Sequence, residues 1–241
     1  MGRGWVNAIR VASASKKGKA FTKIAKEIAV AVKLGGPSPE SNARLRSALK
    51  DAQKNSMSKD TVERAIKRGQ GGSDEAQLEE VVYEGYGPHG VAALVEVLTD
   101  NRNRAVSDLR NIFNKNGGTL GESGSVQWMF ERVAMVSTRV KAGVDAEEAA
   151  INAGANEVEK LQIPNEETGK DEEQCHFVGS PTELDVIQKS LAEQGWEVLK
   201  AELTYRPKTP ATLDEAQEKE LREFLEAVDD SDDVKRVHLS V

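Results

Sequence analysis

The sequence predicts an α+β chain in which a helical module comes first and sheet-containing domains follow. Three observations carry this. Apolar residues recur at helical spacing in the first 72 residues, strand-like alternation with intervening helices follows, and the charge changes sign where the pattern changes. Residues 1–72 hold 16 Lys/Arg against 5 Asp/Glu, a balance of +11; the remaining 169 hold 17 against 35, a balance of −18. The modest net charge of −7 therefore conceals two modules of opposite sign. Such asymmetry speaks to partners, and a polyanion is the first candidate for the basic module.

Composition narrows the classes further. With 241 residues, 38% apolar and 5% aromatic, two to three small cores fit better than one thick one. No run approaches the ~18 uninterrupted apolar residues of a membrane span, so none is expected. Cys175 is the single cysteine, which excludes an intrachain disulfide and points to a reducing compartment. His89, His176 and His238 stand far apart, and Cys175-His176 lacks a second ligand pair, so neither metal nor cofactor is expected. The acid-free first 26 residues resemble a transit peptide. The basic pattern continues on regular helices through Arg68, however, and they are read as part of the basic module.

Residues 20–34 form the clearest helix: Phe21, Ile24, Ile28 and Val32 make one stripe, and Lys23, Lys26 and Lys33 cluster opposite it. Gly35, Gly36 and Pro37 end it. A second helix spans 41–54, with Leu45, Ala48, Leu49 and Ala52 inward and Arg46, Lys50 and Lys54 on a neighbouring outer face. The third follows the N-cap Ser58, with Asp60 and Glu63 suited to its positive end. Val62 and Ile66 face inward there, while Arg64, Lys67 and Arg68 project from the other side. Gly69-Gln70-Gly71-Gly72 reads as a linker. The repeated segregation predicts a bundle with a basic outer surface, suited to phosphates rather than to reading bases. No helix-turn-helix turn is recognisable. Trp5 is a candidate for stacking on a base or ribose, or for packing on the bundle.

Beyond the linker, Val81–Tyr86 and Val91–Leu98 read as strands around Gly87-Pro88-His89-Gly90, which lacks the Lys-Ser/Thr and following helix of a phosphate loop. A helix over 103–116 presents Val106, Leu109 and Phe113 and ends at Gly117-Gly118. Ser125–Glu131 reads as a strand with Val126, Trp128 and Phe130 alternating. Residues 133–206 then run strand, helix, strand, strand, helix, strand, the βαββαβ order of the ferredoxin-like arrangement, with Pro164–Glu173 as the central loop. After Pro207 and Pro210, a helix (212–228) and a strand (234–240) are expected to return to the 81–131 sheet. The full expectation is an N-terminal helical bundle followed by two ferredoxin-like α+β domains, one inserted in the other. Their bounds are 1–72, 79–132 with 207–241, and 133–206. A sequential arrangement, with the tail packed on the last lobe, is the alternative.

Asn101-Arg102-Asn103-Arg104 stands where a strand ends and a helix begins. Unpaired N–H groups and two guanidinium groups would make an anion site there; alternatively an asparagine caps the helix and the arginines face water. The candidate nucleic-acid contacts are thus Trp5, Lys16, Lys17, Lys19, Lys23, Lys26, Lys33, Arg46, Lys50, Lys59, Arg64, Lys67, Arg68, Arg102 and Arg104. No catalytic residue is expected, since Glu84 near His89 and Cys175-His176 both lack a third orienting group.

Several stretches together resemble the YebC/PmpR family, which includes a mitochondrial translational activator of cytochrome c oxidase subunit one. They are Gly18-Lys19 with Phe21-Thr22-Lys23, Leu34-Gly35-Gly36, Asn42 with Arg44-Leu45-Arg46, Met57 with Lys59-Asp60, and Arg64-Ala65-Ile66-Lys67-Arg68-Gly69. Tyr83-Glu84-Gly85-Tyr86-Gly87-Pro88 and Leu98-Thr99-Asp100-Asn101-Arg102-Asn103-Arg104 follow. Asn114-Lys115 with Gly117-Gly118, Gly124-Ser125-Val126, and the acidic Asp229 to Asp233-Val234 ending complete the likeness over nearly the whole chain. The resemblance implies a helical first domain, two α+β domains with one inserted, and a cytoplasmic, non-enzymatic role in gene expression. Such proteins are described both as DNA-binding transcriptional regulators and as ribosome-associated activators of translation. At its start the chain departs from the family's Gly-His-Ser-Lys-Trp and Lys-His-Arg-Lys runs: Gly2-Arg3-Gly4-Trp5 and Ile9-Arg10-Val11-Ala12 carry fewer cations.

The expectation is therefore a cytoplasmic, monomeric, nucleic-acid-binding regulator with no membrane and no small-molecule substrate. Because the acidic body would repel a long duplex beside it, the reading leans towards a ribosome-associated translational activator that binds rRNA. A DNA-binding transcriptional regulator is the close alternative, and an acidic protein-interaction adaptor the third.

Overall fold

The computed structural model describes residues 17–71, 78–141, 143–164 and 171–241. The chain divides into two compact units. One runs to Val126 and resumes over Leu213–Leu239; the other comprises Gln127–Thr212 with Ser240–Val241.

The first unit opens with three helices, α1 (Lys17–Gly35), α2 (Ala43–Lys54) and α3 (Lys59–Gly69). Ile28, Ala31 and Val32 of α1 close a small core with Leu45, Ala48, Ala52 and Ala65. Asn42 sets the α1–α2 corner: its side-chain carbonyl caps α2 by accepting from the Leu45 N–H at 3.0 Å. Its amide donates to the carbonyls of Ala31 and Gly36 at 2.7 and 2.8 Å, tying the start of α2 to the end of α1. Ser58 caps α3 as its sequence position implies. Gly69 is not part of a linker: it is the last residue of α3, where a Cβ would overlap the carbonyl oxygen of Ala29. The close approach of α3 to α1 therefore requires glycine.

The helical region precedes a four-stranded antiparallel sheet built from β1 (Glu79–Tyr86), β2 (Ala92–Thr99), β3 (Thr119–Leu120) and β8 (Val234–Leu239), in the order β3-β1-β2-β8. With α4 (Arg102–Lys115) and α7 (Glu215–Asp229), the chain order in this unit is ββαβαβ. Phe113 of α4 and Phe224 of α7 meet edge to face, centroids 4.9 Å apart. A second apolar side of α1, Ala29 and Val30, packs on Leu78 and Leu98. Helix α1 is thus covered both by its bundle partners and by the sheet.

The second unit runs β4 (Phe130–Arg139), α5 (Ala146–Ala153), β5 (Glu157–Pro164), β6 (Asp171–Gly179), α6 (Leu184–Glu193) and β7 (Val198–Pro207). Its antiparallel order β5-β6-β4-β7 is the ferredoxin-like one. Val136, Cys175 and Phe177 pack against Ala149, Ile187, Leu191 and Trp196.

The strand expected over Ser125–Glu131 does not form. Gln127–Met129 is a single 3₁₀ turn, and the strand starts at Phe130 in the second sheet. The reason lies in Glu84, whose buried carboxylate accepts the N–H groups of Gly124 and Val126 at 2.7 and 2.8 Å. Backbone donors that a strand would pair with a neighbour are satisfied by a side chain instead.

Candidate nucleic-acid interface

The structure sorts the sequence-predicted cations into three sets. The first faces protein. Lys19, Lys23 and Lys26 lie along α1 at i, i+4 and i+7 and meet the turn between α7 and β8. Lys19 pairs with Asp230, Lys23 with Asp229 at 3.3 Å, and Lys26 with Asp233. Each ammonium also donates to a main-chain carbonyl, of Asp230, Asp229 and Asp232 respectively. Two of those residues end α7, so the lysines complement the negative end of that helix as well as its carboxylates. This corrects the expectation that these three lysines lie on the outer surface of the bundle. The side of α1 opposite its bundle stripe is turned to the rest of its unit. Lys33 donates to the Leu78 carbonyl at 3.2 Å.

Beside this clamp runs a ladder of alternating charge. Arg44 of α2 grips Glu27 at 2.6 Å and Glu80 at 3.0 Å, and Lys235 of β8 reaches Glu80 at 2.9 Å and Glu96 at 3.4 Å. The ladder ends in the buried pair His238–Glu96, at 2.6 Å. Burial alone would push the Glu96 carboxyl up, but His238, Arg236 and Lys235 outweigh it and hold it at about 2. Burial likewise works against the Arg44 charge, and Glu27 and Glu80 reverse that, so its pKa is raised.

The second set is paired near the surface. Arg64 bridges to Asp60 at 2.8 Å within α3, and Arg68 approaches Asp100 at 3.7 Å. Arg102 pairs with Glu79; Arg104 with Asp100 at 2.8 Å and Asp233 at 3.3 Å. Asn101 caps α4 by accepting from the Arg104 N–H. The cap matches one of the two readings of this segment; the arginines remain largely exposed and pair with carboxylates as well.

The third set stays in solvent. Arg46, Lys50 and Lys54 repeat every fourth residue along α2 and are all exposed, as are Lys59 and Lys67 of α3. The four lysines have no carboxylate partner among the described residues, and Arg46 lies near the exposed Glu40. The α2 stripe is about 12 Å long at 1.5 Å per residue. Trp5 and Lys16 lie outside the described residues, and Lys17 is described only as the first residue of α1.

Residues 5–72 match the family description "TACO1/YebC protein N-terminal domain", and residues 78–241 match "TACO1/YebC second and third domain". The chain belongs to the TACO1/YebC family. A protein of Bdellovibrio bacteriovorus named a probable transcriptional regulatory protein is 46% identical to this TACO1/YebC chain, over 100% of both. One of Photobacterium profundum with the same designation is 42% identical, over 95% of this chain and 90% of the relative. Among solved structures, a conserved hypothetical protein of Aquifex aeolicus superposes with a TM-score of 0.79 at 39% identity, covering 95% of this chain and 91% of that one.

The remaining reactive groups of this TACO1/YebC protein are engaged structurally. Glu84 anchors the 124–126 backbone, and His89 pairs with Glu220 at 3.0 Å. Cys175 is buried, and burial raises its thiol pKa; burial lowers that of His176. Helical periodicity gave no hint of the carboxylates at 229–233. The one available signal was local: four aspartates within five residues, where a solvated turn would suffice.

Proposed function

We propose that this protein is a non-enzymatic, nucleic-acid-binding regulator of gene expression whose phosphate contacts come from the outer faces of α2 and α3. The observation that carries the reading is the solvent-exposed, evenly spaced Arg46–Lys50–Lys54 row, on a bundle whose α1 lysines Lys19, Lys23 and Lys26 are held by carboxylates. A row of this length meets a few phosphates on one side of a ligand, which suits structured RNA on a ribosome. Cations spaced along one helix face neutralise phosphates and carry no base-reading information by themselves. The names of the relatives favour a second reading, a transcriptional regulator working on DNA.

The test is R46E/K50E/K54E in the full chain. Being exposed, these positions tolerate the change, and the melting curve should match the parent's. Binding to ribosomal RNA and to duplex DNA, measured by anisotropy in one buffer, should fall at least a hundredfold. Ribosome co-sedimentation in the same salt separates the two readings. Parental affinity of the folded variant for both ligands would end the proposal.

A further inference from the structure

The 127–212 unit carries an aromatic and basic patch of its own, against an acidic background. Trp128 sits in the 3₁₀ turn before β4 and is 67% exposed, the large aromatic most open to solvent among the described residues. Its turn is fixed from below: the Lys208 ammonium donates to the Trp128 carbonyl at 2.9 Å, and the Lys208 N–H to the Met129 carbonyl at 2.9 Å. The adjoining register pairs Phe130 with Pro207 and Arg132 with Tyr205, which brings Arg132 to the same end of the sheet. Arg132 is exposed and has no carboxylate partner among the described residues. Strand alternation sends the neighbouring Glu131, with its cross-strand partner Arg206, to the opposite face.

An indole exposed to this extent forgoes much of the burial free energy that a folded chain otherwise gains. Held on a rigid turn, with an exposed guanidinium and an ammonium at the same sheet end, it has the chemistry of a stacking platform. Base–aromatic stacking is tolerant of sequence, and the cations supply the backbone contact. We infer that Trp128, with Arg132 and Lys208, binds an unpaired nucleotide: the indole stacks on the base and the cations face the adjoining phosphates. This is a second contact, separate from the α2 row, and it rests on the reading that the ligand is a nucleic acid.

The experiment compares the full chain with W128A and W128F on two probes, a short oligouridylate and an abasic oligomer of the same length. W128A should weaken oligouridylate binding about tenfold or more, while W128F stays within about threefold of the parent. R132Q should weaken both probes. W128A should bind the abasic oligomer as the parent does, since no base is present to stack. Equal affinity of parent and W128A for oligouridylate, an equal loss on both probes, or no binding of oligouridylate by the parent each overturns the inference. R46E/K50E/K54E keeps the two ideas apart. If that variant loses rRNA or duplex binding while W128A matches its parent throughout, only the stacking site fails.

Discussion

Replacing Asp233 with asparagine tests whether the α1 lysines are structural. The Asp233 carboxylate receives Lys26, the Thr99 hydroxyl at 3.1 Å and Arg104 at 3.3 Å. Burial pushes its pKa up, but these donors prevail and hold it below the ordinary carboxylate range. D233N keeps the shape and removes the charge, leaving Lys26 neutral acceptors only, the new amide oxygen and the Asp232 carbonyl at 3.0 Å. Exposed ion pairs contribute about 0–1 kcal/mol, and breaking a fully buried one costs about 3–5 kcal/mol. The Lys26 and Asp233 side chains are 14% and 13% exposed, so the pair stands between those limits. A loss of about 2 kcal/mol is expected for D233N and for K26Q. The double variant should be little worse than either, a coupling of about 1–2 kcal/mol. Because the chain has two units, a single global midpoint would blur the effect. Hydrogen exchange of the α1 and β8 amides reads it locally. Additive losses, within about 0.5 kcal/mol, would mean that the two side chains do not support each other, and the clamp would be no more than proximity.

Other consequences follow from the same geometry. Glu96 has a folded-state pKa of about 2 against an ordinary 4.5, so its stabilisation is complete above the ordinary value and is lost as pH falls through about 2. Its share is on the order of 3 kcal/mol, and E96Q should flatten the acid limb of β8 amide protection between pH 6 and 2; an unchanged limb would assign that loss to other carboxylates. G69A should cost about 1–3 kcal/mol, read as faster exchange in α3, because the added methyl meets the Ala29 carbonyl oxygen. E84A should cost about 2–4 kcal/mol by orphaning the Gly124 and Val126 N–H groups, and amides 121–126 should lose protection first.

What the sequence made legible was whatever is encoded locally. Ser58 and Asn101 cap the helices that follow them because a cap and its N–H target lie three residues apart; Asn42, read from the sequence as part of its helix, caps it at the same spacing. The ferredoxin-like order was legible because the apolar period switches between two and 3.6 within each element. The fate of a face was not. Periodicity groups Lys23 with Lys26, but the carboxylates that receive them stand 206 and 207 residues further on. Trp128 failed in the other direction. Its alternation with Val126 and Phe130 mimics a buried strand, while Glu84, some 40 residues earlier, diverts the backbone into a loop and turn. In both cases a distant carboxylate decides, and no local pattern contains it.

The clamp also changes how binding should respond to salt. A reading that counts the whole basic module allows roughly 6–10 phosphate contacts, whereas the solvent set of Arg46, Lys50, Lys54, Lys59 and Lys67 allows about five. Five contacts give a slope of log K against log salt of roughly −4.5 on duplex and −3.5 on single strands. Between 50 and 200 mM salt that is a loss of about 500-fold and about 100-fold respectively, against the 10³–10⁵-fold of the larger count. A titration of rRNA or duplex binding over this range therefore measures how many lysines reach the ligand. A slope near the smaller values means that Lys19, Lys23 and Lys26 stay with their aspartates in the complex. If the slope is steeper and D233N leaves it unchanged, the extra contacts come from elsewhere. If D233N steepens the slope, the acidic turn competes with the ligand for the same ammonium groups, and the clamp would be part of the binding equilibrium rather than only of the fold. A flat line would remove phosphate contact by this set of residues altogether.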